Sequence, residues 1–343
     1  SRTTKRRIIN RYFCERRRKM REITFSQALN EAIREEMIRD KKVFLMGEDI
    51  GLHGGAFGVT KNLVKEFGSE RVRNSPLSEA GIAGIAVGAA LLDMKPVVEF
   101  MFVDFTTIAM DQIINQAAKI RYMTGGQAKV PAVFRTQGGA GTGSAAQHSQ
   151  SLENLFCYIP GLIVVMPSTP YNAKGLLKSS IRNPNPVIFI EHKLLYAKKG
   201  NVPEEEYLLP LGKANLMKKG RDITFISYSR MVHVALDAAE QLAQEGIDAE
   251  VIDLQTLSPI DKETIFKSVQ KTGKCLTIEE DCKSSGFGAE VAALIGEECF
   301  DYLDAPVRRI AAADVPIPFA ASLEFEALPD VDKITKTTKM MIS

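Results

Sequence analysis

Apolar residues recur along the chain in short blocks of two alternating kinds. Ile33 and Met37 have the spacing of one helical face, whereas Val43–Met46 is a continuous apolar run that ends at a glycine. The first pattern is typical of an amphipathic helix and the second of a buried strand. Thr24 and Gln27 have the spacing of a capping box, so the first helix is predicted to begin there.

This alternation continues through the first 190 residues. The predicted strands are Pro96–Phe102, Val130–Arg135, Leu162–Met166 and Val187–Ile190. The predicted helices are Ala80–Leu92, Phe105–Tyr122, Ser151–Tyr158 and Tyr171–Arg182. A chain of alternating strands and helices favours the α/β class, with a parallel sheet covered by helices on both faces.

The periodicity weakens between Lys193 and Gly212, where three consecutive glutamates stand, and we expect a linker there. A second strand–helix series follows. Its predicted elements are Ile223–Ser227, Val232–Gln244, Ala249–Leu254, Lys262–Gln270, Cys275–Glu279, Phe287–Cys299 and Val307–Ile310. The sequence therefore predicts two parallel-sheet domains, at residues 21–205 and 213–341, behind a basic tail at residues 1–20.

The charge of the chain is unevenly distributed. The net charge of the 343 residues is +2, but residues 1–20 carry nine basic residues against one acid, which leaves about −6 for the rest. A mildly acidic body gives no reason to expect nucleic acid as a partner. The tail either resembles a mitochondrial transit peptide or is upstream sequence before a true start at Met20; we favour the second interpretation. The expected location is the cytoplasm, with the mitochondrial matrix as the alternative.

Five cysteines without a CxxC pair indicate a reducing compartment. No HExxH motif or Cys/His cluster suggests a structural metal. The longest apolar run, Ala80–Leu92, is shorter than the ~20 residues that span a bilayer, so no membrane partner is expected.

Glu79 stands at the start of the glycine- and alanine-rich helix Ala80–Leu92. A simple capping acid is the plain interpretation, because carboxylates are stabilised at helix N-termini. Burial beside so apolar a helix raises the pKa of a carboxyl group, and such an acid can share a proton with a ligand nitrogen near neutral pH. We interpret the glycines of the helix as signs of tight core packing.

A glycine-rich segment, Gly138–Gly143, follows a predicted strand and fits the loose dinucleotide-binding pattern. That pattern requires an acid at the end of the next strand, about 20 residues on. Here the next strand ends in Pro167-Ser168, so dinucleotide binding is rejected. His148 lies just after the glycines, and a histidine on such a loop is a candidate for proton transfer or a structural residue.

Several strings resemble the beta subunits of pyruvate, branched-chain 2-oxo acid and acetoin dehydrogenases. They are MGEDIG (Met46–Gly51), SEAGIAGIAVGAAL (Ser78–Leu91), EFMFVDF (Glu99–Phe105), DQIINQAAK (Asp111–Lys119), AAQHSQSLE (Ala145–Glu153), PGLIVVMPSTPYNAKGLLKSSI (Pro160–Ile181) and EHKLLY (Glu191–Tyr196). The resemblance covers residues 20 to about 342. It implies a transketolase-like fold with a domain for the pyrimidine ring of thiamine diphosphate and a transketolase C-terminal domain.

The resemblance also implies partners. Members of this family form α2β2 assemblies with active sites between alpha and beta chains, and they pass an acyl group to a lipoyl arm on an acyltransferase core. The alpha subunit binds the cofactor diphosphate through magnesium with a GDG…NN motif, and no GDG occurs in this chain. The chain is thus expected to supply half of a site.

Residue by residue, the resemblance implies that Glu79 protonates the pyrimidine ring, that Phe105 packs against that ring and that Leu77 lines its pocket. Glu48 matches an acid on a polar path between the two active sites. His148 matches the active-site histidine, which handles protons on the intermediate or the lipoyl sulfur. A structural potassium ion is implied near Asn183 and Asn185, although Asn183 stands where an aspartate is common.

The preferred substrate is predicted to be acetoin, with pyruvate second, because GGAGTG, GAFGVT and EHKLLY resemble acetoin-type members. Two alternatives stay open. One is a single-chain transferase of the transketolase or deoxyxylulose-phosphate synthase type, which the missing diphosphate motif disfavours. The other is a noncatalytic assembly subunit, which the retained Glu79, Phe105 and His148 disfavour.

Overall fold

The computed structural model describes residues 19–342. The interpretations of the basic tail fall mainly on residues 1–18, outside the described range. Among the described residues, no helix is long and apolar enough to cross a membrane.

The first half of the chain is built on a seven-stranded sheet in the order β12-β6-β7-β5-β4-β2-β3. Its strands are β2 (Val43–Gly47), β3 (Val72–Asn74), β4 (Lys95–Phe100), β5 (Val133–Gly138), β6 (Ile163–Val165), β7 (Val187–His192) and β12 (Thr256–Ser258). All neighbours are parallel except β12, which runs antiparallel to β6. The carboxyl ends of the parallel strands therefore lie at one edge, where α/β proteins place their ligand sites.

Helices and short turns of helix surround this sheet. They are α1 (Phe25–Arg39), α2 (Leu63–Phe67), α3 (Glu79–Leu91), α4 (Ile120–Met123), α5 (Glu153–Cys157) and α6 (Pro170–Arg182), with 3-10 turns at Val103–Ala109 and Lys193–Leu195 and a π turn at Gln112–Ala117. A separate two-stranded ribbon joins β1 (Met20–Thr24) to β8 (Lys199–Pro203) in antiparallel register.

The second half contains a five-stranded sheet in the order β14-β13-β10-β11-β9. Its strands are β9 (Asn215–Lys218), β10 (Ile223–Ser227), β11 (Ala249–Asp253), β13 (Cys275–Cys282) and β14 (Arg308–Ala312). Its helices are α7 (Met231–Gln244), α8 (Lys262–Thr272), α9 (Phe287–Glu298), α10 (Ala321–Ala327) and α11 (Val331–Ile342), with a 3-10 turn at Phe300–Tyr302. Only β9 is antiparallel to its neighbour.

The two halves share one apolar core. Phe134 and Ile188 of the first sheet belong to the same buried cluster as Ile226 and Ile252 of the second. In addition, β12 belongs by chain order to the second half but completes the edge of the first sheet beside β6. The halves are therefore packed as one body, and residues of the second half reach the carboxyl edge of the first.

Most predicted elements are confirmed, beginning with the capping box of α1. The Thr24 hydroxyl accepts from the Gln27 amide and the Gln27 side chain accepts from the Thr24 amide. The predicted continuous helix Phe105–Tyr122 is wrong, because the segment is a succession of 3-10, π and α turns. The predicted linker contains β8, which becomes a strand by pairing with β1.

One packing interpretation also needs correction. The glycines of α3 do not lie in the core of this chain: Gly81 and Gly88 are exposed and Gly84 is half-buried, whereas Ile82 and Ala86 face inward. The small residues therefore form an outer face of α3 that the described residues leave uncovered.

Candidate active site at the edge of the first sheet

Glu79 is the first residue of α3, as predicted, and its side chain is buried with 9% exposure. Among the described residues, no cation and no hydrogen-bond donor pairs with its carboxylate. Its preceding residue, Ser78, makes no side-chain capping bond. A buried acid at a helix N-terminus is stabilised by the helix dipole while both of its oxygens stay available for a ligand.

Glu48 lies close to Glu79, directly after strand β2. It is 6% exposed, and its Oε1 atom has no hydrogen-bond partner in the described part of the chain. Burial, followed by the charges of Glu79 and Asp49, raises the pKa of Glu48. The site thus brings together two buried carboxyl groups without a cation, an arrangement suited to holding a proton.

An aromatic wall stands at the ends of β4 and β5, formed by Phe102, Phe105 and His148. The His148 ring lies edge-on to Phe102 at 4.7 Å and to Phe105 at 5.2 Å between ring centroids, and the two phenylalanines lie 5.8 Å apart. Helix α3 packs against the 3-10 turn that carries Phe105. The predicted Glu79, Phe105 and His148 are therefore on contiguous elements.

Leu77 lies in the turn before α3 and is 80% exposed, so the described residues leave it uncovered. Its position beside Glu79 agrees with a residue at the mouth of the site.

Lys193 is a candidate that the sequence did not indicate. Its ammonium group donates to the His148 carbonyl and lies 5.5 Å from the centre of the Phe102 ring. Burial lowers the pKa of Lys193, although Asp104, Glu280 and Glu324 act in the opposite direction. The sequence around Lys193 does not predict this role, because its contact with His148 joins residues 45 positions apart.

A buried network of ion pairs and hydrogen bonds lies in the strands that lead to the site. Arg135 of β5 is 1% exposed and donates two hydrogen bonds of 2.7 and 2.8 Å to Glu191 and one of 2.6 Å to Glu99. The Tyr196 hydroxyl donates to Glu191 at 2.6 Å. This network joins β4, β5 and β7, so it fixes the strand ends from which the aromatic wall and the His148 segment emerge.

The predicted potassium position has local partners of its own. Asn183 Oδ1 accepts from the backbone amide of Asn185 at 2.9 Å, and the Arg121 guanidinium donates to Asn185 Oδ1. Within residues 19–342, no cluster of three or more His, Cys, Asp or Glu side chains has a metal-binding arrangement.

The other three histidines of the chain make contacts that do not involve the aromatic wall. His192 bonds to Glu280, His233 bonds to the Ser168 carbonyl at 2.7 Å, and His53 is exposed in the loop after β2. Burial lowers the pKa of His233.

Comparison with known families gives two matches that together cover most of the chain. Residues 21–199 match the transketolase pyrimidine-binding domain, and residues 212–334 match the transketolase C-terminal domain. A solved structure described as a split-gene transketolase, inactive beta4 tetramer, has a TM-score of 0.76 at 24% identity, covering 93% of this chain and 98% of that chain. At this identity the likeness shows the fold.

Three curated relatives are similar over almost their whole length. Pyruvate dehydrogenase E1 component subunit beta-1, mitochondrial, of Arabidopsis thaliana is 49% identical over 323 residues, covering 93% of this chain and 89% of the relative. The 2-oxoisovalerate dehydrogenase subunit beta of Bacillus subtilis is 48% identical over 314 residues (91% and 96%). The acetoin:2,6-dichlorophenolindophenol oxidoreductase subunit beta of the same organism is 47% identical over 330 residues (93% and 96%).

Proposed function

This chain belongs to the family of dehydrogenase E1 beta subunits that join a transketolase pyrimidine-binding domain to a transketolase C-terminal domain, and on that premise we propose that it completes a thiamine-diphosphate site together with an alpha subunit. Residues 21–205 form the pyrimidine-binding domain in this proposal, and residues 213–341 form the C-terminal domain. The observation that carries the proposal is the pair of buried acids Glu79 and Glu48, which meet no cation among the described residues, together with the packing of α3 on the 3-10 turn that carries Phe105.

The residues present fit the cofactor. An aminopyrimidine has ring nitrogens that hydrogen-bond with a carboxyl group and faces that stack on aromatic rings. Glu79 is the carboxyl group, and Phe105 and Leu77 are the apolar surfaces beside it. When bound, thiamine diphosphate supplies a nucleophilic carbon that adds to a carbonyl carbon of the substrate and takes up the charge left by bond cleavage.

In this site Glu79 holds a proton at the pyrimidine ring nitrogen. Burial and the charge of Glu79 raise the pKa of Glu48, which favours a proton on Glu48 close to Glu79. Phe105 orients the ring by stacking. His148, held in contact with Phe105 and Phe102, moves protons at the substrate oxygen or at the sulfur of an incoming lipoyl group.

The uncovered face of α3 supports an alpha subunit as the partner. Gly81, Gly88, Ile85 and Leu92 lie on this face, with Ile85 52% and Leu92 81% exposed. Small residues let a second backbone approach closely, and exposed apolar residues mark contact surfaces. The exposed face extends back to Leu77, two residues before Glu79, so a partner seated on it also closes the site. In the proposal the partner holds the magnesium and the diphosphate, and the assembly is α2β2.

Binding of the cofactor tests the shared site. Thiamine diphosphate with magnesium is titrated by calorimetry into this chain alone, into the alpha subunit alone and into their equimolar mixture. We expect tight binding by the mixture and weak or no binding by this chain. Tight magnesium-dependent binding by this chain alone contradicts the proposal. Ile85→Arg should prevent assembly, whereas Leu208→Arg, at an exposed apolar residue outside α3, serves as the matched control.

The proposed reaction is cleavage of acetoin or decarboxylation of a 2-oxo acid such as pyruvate, followed by acyl transfer to a lipoyl domain of an acyltransferase core. Relatives named for pyruvate, 2-oxoisovalerate and acetoin differ from one another by only two percentage points of identity to this chain. Acetoin stays the proposed preference. Turnover of the reconstituted assembly with pyruvate far above that with acetoin contradicts this choice.

A further inference from the structure

The glycine-rich segment before His148 has its backbone amides bonded to carboxylates. Ala140 N donates to Glu280 Oε1 at 2.5 Å. Gly141 N and Gly143 N donate to the two oxygens of Glu324 at 2.7 and 3.1 Å. Amide groups that converge in this way form an anion site, and here side chains of the same protein fill it. The resemblance of the segment to a dinucleotide loop is thereby explained without a phosphate.

Both carboxylates come from the second half of the chain. Glu280 lies near the end of β13 and Glu324 lies on α10, 140 and 183 residues away from the amides that they accept. Both are buried, with 7% and 2% exposure. Their contacts therefore connect the C-terminal domain directly to a loop at the edge of the first sheet.

Glu280 is itself held in one orientation. His192 Nδ1 accepts from the Leu194 amide at 3.1 Å, and its Nε2 lies 3.0 and 3.1 Å from the two Glu280 oxygens. Arg230 donates to Glu280 at 3.2 Å. Burial acts to raise the pKa of Glu280, but His192, Arg230 and the Ala140 amide outweigh it and hold the pKa at about 2.

The glycines are required by this arrangement. Gly139 has a φ of +84°, and a Cβ atom there would lie 2.1 Å from His192 Nε2. Gly141 has a φ of +96°, and a Cβ atom there would lie 2.6 Å from a methyl carbon of Leu194. Only glycine combines these backbone angles with such close approach.

The other end of the same segment is held by the first half of the chain. We call residues 139–150 the histidine loop. Lys193 donates to the His148 carbonyl, and the Gln150 side chain donates to Asp104 at 2.8 Å. The glycine end of the loop is thus held from the C-terminal domain and the histidine end from the pyrimidine-binding domain, with the His148 ring against the aromatic wall.

We propose that Glu324 and Glu280 are positioning residues for His148, through which the C-terminal domain sets the position of the histidine loop. This inference rests on the proposed role of His148 in proton transfer. Of the two, Glu324 is the better residue to test, because Glu280 also bonds to His192 and Arg230. Glu324 has no salt bridge among the described residues, and its carboxylate bonds specifically to the two amides that flank Thr142.

Hydrogen–deuterium exchange measures the contact without any activity. In the reconstituted assembly, peptides that cover residues 139–150 are followed for wild type, Glu324→Ala, Glu324→Gln and Glu326→Ala. Charge-assisted hydrogen bonds protect their donors, so we expect Glu324→Ala to speed exchange of the protected amides by about 10- to 100-fold. Glu324→Gln keeps one acceptor oxygen, so its exchange rate should lie between those of wild type and Glu324→Ala. Glu326 is exposed on the same helix and its variant should match wild type. Unchanged exchange in Glu324→Ala overturns the proposal.

Kinetics then separate positioning from general stability. Glu324→Ala should lower acyl transfer to the lipoyl domain about 10-fold or more while leaving the Glu79-dependent deuterium exchange at the thiazolium carbon unchanged. In the His148→Ala background the same change should cause no further loss, because residues that act through one another are not additive. A full additional loss shows that Glu324 does not act through His148. If His148→Ala alone retains full acyl transfer, the proposed role of His148 fails, and the exchange result decides the loop contact separately.

Discussion

Replacing Glu79 by glutamine separates a capping role from a proton-transfer role. The change keeps the size of the side chain and removes its charge from the N-terminus of α3, which costs about 0.3–1 kcal/mol. The same change removes one of the charges that raise the pKa of Glu48, and this relief offsets part of the loss. The free energy of unfolding is therefore expected to change by less than about 1 kcal/mol, which corresponds to a few degrees in melting temperature.

The effect on chemistry should be larger. Loss of a positioned general acid lowers a rate by about 100-fold or more, which corresponds to about 2.7 kcal/mol in the activation barrier. The direct assay is hydrogen–deuterium exchange at the thiazolium carbon of the cofactor, measured in the reconstituted assembly. We expect Glu79→Gln to assemble, to melt close to wild type, to bind the cofactor and to exchange this proton at least about 100-fold more slowly.

A matched control removes a carboxylate charge from the N-terminus of a helix far from the site along the chain. Glu290 is an exposed acid in the first turn of α9, so Glu290→Gln removes a comparable charge from a helix N-terminus. It should leave the exchange rate unchanged. Equal exchange rates in a folded, cofactor-bound Glu79→Gln assembly would refute the reasoning, because Glu79 would then be only a cap.

Three further outcomes are expected. His148→Ala should lower acyl transfer while sparing cofactor binding, measured by lipoyl acylation and calorimetry; loss of the cofactor or the fold would make His148 structural. Arg135→Met leaves the buried carboxylates of Glu99 and Glu191 without their cation, so urea unfolding should show a loss of about 3–5 kcal/mol, and a loss below 1 kcal/mol contradicts this account. Burial, with the charge of Asp281, raises the pKa of Glu153 to about 8, so folding favours the protonated carboxyl group. The contribution of Glu153 to the free energy of unfolding is therefore fully present below pH 4.5 and is lost as the pH rises through 8. Glu153→Gln should therefore narrow the difference in melting temperature between pH 5.5 and pH 8.5.

The pattern of apolar residues predicted most of the sheet correctly because buried parallel strands are continuous apolar runs. It failed at Phe105–Tyr122, where Val103, Thr106 and Ala109 are buried at intervals of three. That interval matches the three residues per turn of a 3-10 helix, but apolar residues three apart also occur in α-helices. β8 and β12 carry little apolar pattern of their own and are strands because of the partners that they meet.

The candidate site also contains residues that the local sequence predicts and residues that it does not. Glu79 and His148 were predictable, because each stands at a boundary that the local sequence marks: the start of a glycine- and alanine-rich helix and the end of a glycine-rich loop. Arg135, Lys193 and Glu324 were not, because their partners lie between 45 and 183 residues away along the chain. Burial and pairing of a charge depend on tertiary contacts, which no spacing rule encodes.

An unpaired buried carboxyl group normally destabilises a fold by about 1–3 kcal/mol for each hydrogen bond left unmade. Some buried charges of this chain avoid that cost: Arg135 has two carboxylates, and Glu280 has His192, Arg230 and a backbone amide. Glu48 and Glu79 depart from that pattern, as do Asp104, Glu153 and Glu279, which each keep one buried carboxyl oxygen without a partner among the described residues. Glu79 differs from these in standing at the start of α3, next to the exposed Leu77. Where buried carboxyl groups without partners lie beside an exposed apolar face, we expect their missing partners to come from outside the chain. In the proposed assembly a ring nitrogen of the cofactor and a facing subunit would supply those partners, so the acids of the site are expected to become fully satisfied only there.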